Sequence, residues 1–150
     1  MLRGDDAWLR AFVSLAGAFL LVNKGQAEVS AALLQAAIVR GRFVELLGQK
    51  MLSRQEAGYL FVVGLFSLLE PLLCIPIKQV LEQVSLPQAM VQALLYGEGI
   101  YGPFLALAQA CESQDGDASG IAESLFMTSA HVNQAHLEAL VWAEKLDVGR

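Results

Sequence analysis

The chain has little charge, few thiols, few histidines and no long uninterrupted apolar run. Each shortage excludes something. Charged residues make up 17% of its 150 positions, against about 25% in an ordinary soluble domain. Hydrophobic residues reach 55%, so the composition is the reverse of a disordered segment. Ten Lys and Arg stand against fifteen Asp and Glu, for a net charge of −5. The basic residues form no run, and Arg40 and Arg42 are the nearest pair. Neither nucleic acid nor an anionic membrane surface is therefore an expected partner. Cys74 and Cys111 lie in apolar segments and form no CxxC pair, which predicts free, buried thiols in a reducing cytoplasm. The start, Met1 to Trp8, carries Asp5 and Asp6 ahead of any apolar stretch and does not read as a signal peptide. The best uncharged apolar stretches, Ala11 to Asn23, Ala57 to Leu69 and Val84 to Gly97, have only 13 or 14 residues each. A spanning helix needs about 18–20, so no membrane insertion is expected.

What is present reads as helices. Period-two alternation is nearly absent, which argues against strands. A first helix is predicted over Asp5 to Val22, capped by Asp5 or Asp6. A second is predicted over Ala27 to Met51. Its polar line is Glu28, Gln35, Arg42 and Gln49, and its apolar face is Leu33, Ala36, Val44 and Leu47, the pattern of an amphipathic helix on a core. The third, Gln55 to Leu69, is apolar all round through Tyr59 to Phe66 and belongs at the centre of a bundle. Short helices follow Pro76 and Pro87, where proline is tolerated. The glycine loop Gly97 to Gly102 leads into another from Pro103 to Glu112. After the polar loop at Ser113 to Asp117, residues 121, 125, 128, 132, 135, 139, 142 and 146 alternate spacings of four and three. That stripe predicts a long C-terminal helix, bent near Ser129, packed back on the body. The expected organisation is a single all-α bundle of about seven helices: 1–112 as the body, 113–118 as a loop, 119–150 as a C-terminal segment of the same domain.

Three patterns resemble chemistry without supporting it. Gly97, Gly99 and Gly102 match GxGxxG, but a helix rather than a strand precedes them and no βαβ unit surrounds them. A helix–helix connection needing positive φ is the better reading. Asp115, Asp117, Ser119 and Gly120 match the first half of a calcium loop. Phe126 stands where the bidentate Glu is required, and Ala122 stands at position 8, so a polar linker with a helix cap at Asp117 or Ser119 is expected instead. His131 and His136 lie five apart, about 140° around a helix, and cannot share one metal. No catalytic residue, metal site or cofactor is expected.

Arg40 is the residue that asks for an explanation. It falls on the apolar face of the second helix, where an unpaired guanidinium is costly. Either it pairs with a carboxylate, for which Glu70 at the end of the all-apolar helix is the best candidate, or it carries its head group to the rim. Arg42 and Glu45 are predicted to face solvent and pair.

An ordered series of segments carries a family resemblance. It comprises Gly4 and Trp8-Leu9, Val39 to Leu47, Phe61 to Glu70, and Ile75 to Ile77. It continues through Val80-Leu81, Leu86-Pro87, Ala93 to Leu95, the Gly99 to Gly102 loop, and Leu137 to Ala143. The series resembles the C-terminal part of the HDOD domain of bacterial EAL–HDOD signalling proteins. The resemblance implies a helical relative of HD and HD-GYP phosphohydrolases that has lost the metal ligands. It further implies a non-catalytic regulatory module of signal transduction, linked to cyclic di-GMP through an upstream EAL or receiver domain, and cytoplasmic. The earlier helices of that family would precede Gly4, so the chain is expected to be a fragment or a shortened relative. A face carrying Trp8, Phe12 and Phe19 is then expected to be covered by protein partners, by an upstream domain or by a second copy in a homodimer. Gly41 stands where the family has alanine. Glycine inside a helix costs about 1 kcal/mol, which points to a close helix approach there. A metal-dependent HD-type phosphohydrolase and a helical pocket for a small ligand are the alternatives.

Overall fold

The computed structural model describes residues 27–68, 76–83, 86–113 and 116–146. These form seven helices: α1 (Ala27–Gly48), α2 (Arg54–Phe66), α3 (Ile77–Gln83), α4 (Gln88–Tyr96), α5 (Gly102–Glu112), α6 (Ala118–Ser124) and α7 (Ser129–Leu146). Among the described residues there is no strand, as the lack of alternation predicts. No described helix is long and apolar enough to cross a membrane. The first predicted helix, with Trp8, Phe12 and Phe19, lies outside the described residues.

Local signals set most of the boundaries. Ser53 starts α2 with a capping box: its hydroxyl accepts from the Glu56 N–H at 3.1 Å and the Glu56 carboxylate accepts from the Ser53 N–H at 3.1 Å, satisfying two otherwise orphaned donors. Pro76 precedes α3 and Pro87 caps α4. The Asp117 carboxylate accepts from the Gly120 N–H at 3.1 Å and begins α6, the role the failed calcium pattern leaves for it.

α1 and α2 form an αα-hairpin whose two backbones nearly touch. A Cβ on Gly64 would lie 2.6 Å from the Gly41 Cα, and one on Gly41 would lie 2.8 Å from the Phe61 carbonyl oxygen. The expected close approach at Gly41 is therefore present, and Gly64 is its counterpart. As predicted, α2 is buried all round from Leu60 to Phe66. α1 departs from its amphipathic expectation. Ala36 is exposed and Leu33 half-buried, while no residue from Ala37 to Gly48 is exposed. The reason is that α1 is packed from two sides, by α2 and by α7. Arg42 and Glu45 accordingly do not face solvent, although they do pair.

The long C-terminal helix is interrupted rather than bent. α6 closes at Leu125, and Phe126 takes a left-handed conformation with φ +60°. The Phe126 N–H donates to the Glu123 carbonyl and the Met127 N–H to the Ala122 carbonyl, both at 2.9 Å, the pairing of a Schellman closure. Thr128 then restarts the helix, its hydroxyl accepting from the His131 N–H at 3.1 Å. Of the predicted stripe, Leu125, Val132, Ala135 and Ala139 are buried, so α7 does pack back on the body. Glycine is the usual residue at such a left-handed position, and Phe126 is 92% exposed, with little packing to lose. Phe126→Gly should therefore stabilise the fold by about 1 kcal/mol and raise the melting temperature by about 2–4 °C, readable in a thermal melt.

Candidate functional site

Arg40 enters the interior from the middle of α1, only 8% exposed. Its Nε donates to Glu112 Oε2 at 2.9 Å and its Nη2 donates to Glu112 Oε1. Its Nη1 donates to Ser67 Oγ at 3.0 Å, and the Ser67 hydroxyl donates on to the Gly64 carbonyl at 2.7 Å. A planar guanidinium fits a carboxylate in this two-pronged way, which a lysine cannot do. One side chain thus ties the middle of α1 to the last residue of α5 and to the C-cap of α2. Glu112 also sits at the negative end of the α5 dipole, where a carboxylate is disfavoured, and the guanidinium offsets that.

Arg40 is therefore paired, as its apolar position demands, and its carboxylate partner among the described residues is Glu112. Glu70 lies outside them. Both acids follow apolar runs in the sequence, so sequence environment alone does not choose between them, and Glu112 is 72 positions from Arg40.

A second polar cluster joins α1, α2 and α7. Arg42 Nη1 donates to Glu45 Oε1 at 2.8 Å, with Glu45 only 2% exposed. The Arg42 guanidinium lies 5.1 Å over the Trp142 ring, and Trp142 meets Phe61 edge-on at 5.7 Å. A cation over an indole face adds to the attraction when partly desolvated. The His136 ring lies 5.1 Å from that of Phe43, tilted by 47°.

A cleft of about 190 Å³ opens beside Ser67, lined also by Ala93, Leu94, Gly97, Gly102 and Gln109. Small-molecule pockets usually span about 300–1,000 Å³, so this cleft is small for one. The glycines of the GxGxxG match have structural work here. Gly97 closes α4 at φ +68° and Gly99 has φ +82°, while Gly102 packs directly on the Gly97 carbonyl. Among the described residues no three His, Cys, Asp or Glu side chains come together as a metal site would require. Cys111 is exposed rather than buried, because it lies on the outer side of α5. Partial burial and then the Glu112 carboxylate push its thiol above the ordinary range, which disfavours the reactive thiolate. Cys74 lies outside the described residues.

Two relatives resemble the chain. The uncharacterized protein YuxH of Bacillus subtilis is 30% identical over 115 residues, 76% of this chain and 27% of that protein. The cyclic di-GMP phosphodiesterase CdgJ of Vibrio cholerae is 30% identical over 147 residues, 96% of this chain and 32% of that protein. The chain thus spans about a third or less of the length of these relatives. No protein-family model matches the chain, and no solved structure matches it.

Proposed function

We propose that the chain is a non-catalytic regulatory module of the HDOD type, acting in bacterial cyclic di-GMP signalling through contact with other protein surfaces. The observation that carries this reading is the alignment of 96% of the chain with about a third of a protein named for cyclic di-GMP hydrolysis. A module that occupies one part of a larger signalling protein fits such a match. The polar groups of the interior also favour it. Arg40 and Glu112 are committed to each other, Arg42 to Glu45 and Trp142, so these charges hold helices rather than await a substrate. The HD-type phosphohydrolase reading would need a converging set of metal ligands, which the described residues do not offer.

The test is a titration. The Vibrio cholerae relative, shortened by the segment that matches this chain, is assayed for cyclic di-GMP hydrolysis with this chain added in increasing amounts. A saturable change in rate is expected. A rate that stays constant up to near-millimolar chain would contradict the reading.

A further inference from the structure

Two residues at the end of α6 stand where they weaken the fold. Phe126 holds a left-handed position that suits glycine, with its side chain almost wholly in solvent. Glu123 is exposed in the last turn of α6, where the helix dipole disfavours a carboxylate. Among the described residues no cation pairs with it. The Phe126 N–H donates to the Glu123 carbonyl, so an aromatic ring and a carboxylate are held three positions apart on the surface. The interior meets comparable needs with arginine, twice. Arg40 forks onto Glu112 at the end of α5, and Arg42 donates to Glu45 while its guanidinium lies over the Trp142 ring. At the end of α6 the carboxylate and the ring face outward instead.

The charge around them has one sign. No Lys, Arg or His occurs between Lys78 and His131, whereas Glu82, Glu98, Glu112, Asp115, Asp117 and Glu123 do. Tyr96, 68% exposed, and the exposed Glu98 repeat the combination of ring and carboxylate at the end of α4, and α4 and α6 both pack on α5. Such a surface favours a cationic partner over a neutral or anionic one. It favours arginine over lysine, because a guanidinium takes a carboxylate in two prongs and stacks on an aromatic face. An arginine there also offsets the α6 dipole. We propose that an arginine-rich segment of a partner protein docks on the α4–α6 side of the chain, with Phe126 and Glu123 together seating one of its arginines. This rests on the reading of the chain as a module that acts through protein contacts and adds the chemistry of the partner. Its test involves no cyclic di-GMP, so the two can fail separately.

The probe is fluorescently labelled nona-arginine, titrated with the chain and followed by anisotropy, with nona-lysine as the control of equal length and charge. Nona-arginine should bind saturably and several-fold more tightly than nona-lysine, and added salt should weaken both. Phe126→Gly should lower the affinity for nona-arginine by at least about threefold and bring it toward that for nona-lysine. Glycine suits the backbone there, so this loss of binding is not a loss of fold, and a thermal melt of the same variant shows it. Phe126→Trp, whose ring attracts cations more strongly, should tighten binding, and Glu123→Gln should loosen it. Failure of nona-arginine to bind overturns the proposal. So does equal affinity for the two peptides, which would reduce the surface to diffuse negative charge. Full affinity in Phe126→Gly overturns it as well, because the ring would then lie outside the contact.

Discussion

Gly64→Ala should lower the melting temperature by about 5 °C, although alanine is the better helix former. The two effects oppose each other, and their magnitudes decide the sign. Removing a mid-helix glycine gains about 1 kcal/mol in propensity. The new methyl, however, would stand 2.6 Å from the Gly41 Cα and 2.9 Å from the Gly41 nitrogen. Both are backbone atoms in the middle of α1, and neither can rotate away. The helices must separate, which disturbs the buried layers on both sides: Ile38 and Val44 on α1, Leu60, Val63 and Leu65 on α2. Forcing extra volume into such a core costs typically about 1–3 kcal/mol and occasionally more. With backbone on both sides, the upper part of that range applies. The net loss is then about 2 kcal/mol, and each kcal/mol shifts the melting temperature of a chain this size by about 2–4 °C. Gly41→Ala meets the Phe61 carbonyl at 2.8 Å and should act in the same direction. The two losses should not add, because helices already pushed apart accommodate the second methyl more easily. Thermal melts of both single variants and the double variant check this.

The second large effect is an asymmetry between two partners. Glu112→Gln should destabilise the fold by about 2 kcal/mol, and Arg40→Met by clearly less, near 1 kcal/mol. The difference follows from exposure. Arg40 is 8% exposed and cannot reach water, whereas Glu112 is 44% exposed and can. Replacing the carboxylate by an amide removes the countercharge and one of its two acceptor oxygens, so the buried cation keeps the amide oxygen and the Ser67 hydroxyl but no neutralising charge. Removing the guanidinium leaves a carboxylate that hydrates, and methionine fills the vacated space with an apolar chain. Solvent around Glu112 holds the loss below the 3–5 kcal/mol typical of a fully buried pair. The double variant should lie close to Arg40→Met alone, since with the cation gone the second substitution has little to disturb. Urea unfolding of the three variants measures each value. Equal losses for the two single variants would show that Arg40 reaches solvent.

What the sequence reveals here is what depends on neighbours in sequence. The apolar run of α2 has no polar side to turn outward, so its central place follows from composition. Pro76, Pro87 and Gly97 mark helix ends because their backbones act locally. The close approach at Gly41 was legible because glycine is expensive in a helix interior. The face that α1 buries was not. Its heptad of polar residues describes a helix with one packed side, and only the return of α7 over α1 covers Arg42 and Glu45. The break at residues 125–128 was hidden for a related reason. Thr128 keeps the four-and-three spacing of the stripe, so the residue that caps α7 reads as part of an unbroken helix. Within the candidate site, the demand of Arg40 for a carboxylate follows from its position among leucines and valines. Which carboxylate meets it is decided by how α5 lies on α1, and periodicity along α1 carries no information about that.

The proposed function has the chain act through its surfaces and not through chemistry. Its most direct test is the incubation of the purified chain with cyclic di-GMP in the presence of added Mn²⁺ or Fe²⁺, with the linear and mononucleotide products separated by chromatography. The account predicts intact cyclic di-GMP throughout, at any concentration of chain. Metal-dependent turnover that grows in proportion to the chain would contradict it and place the protein among the HD-type phosphohydrolases.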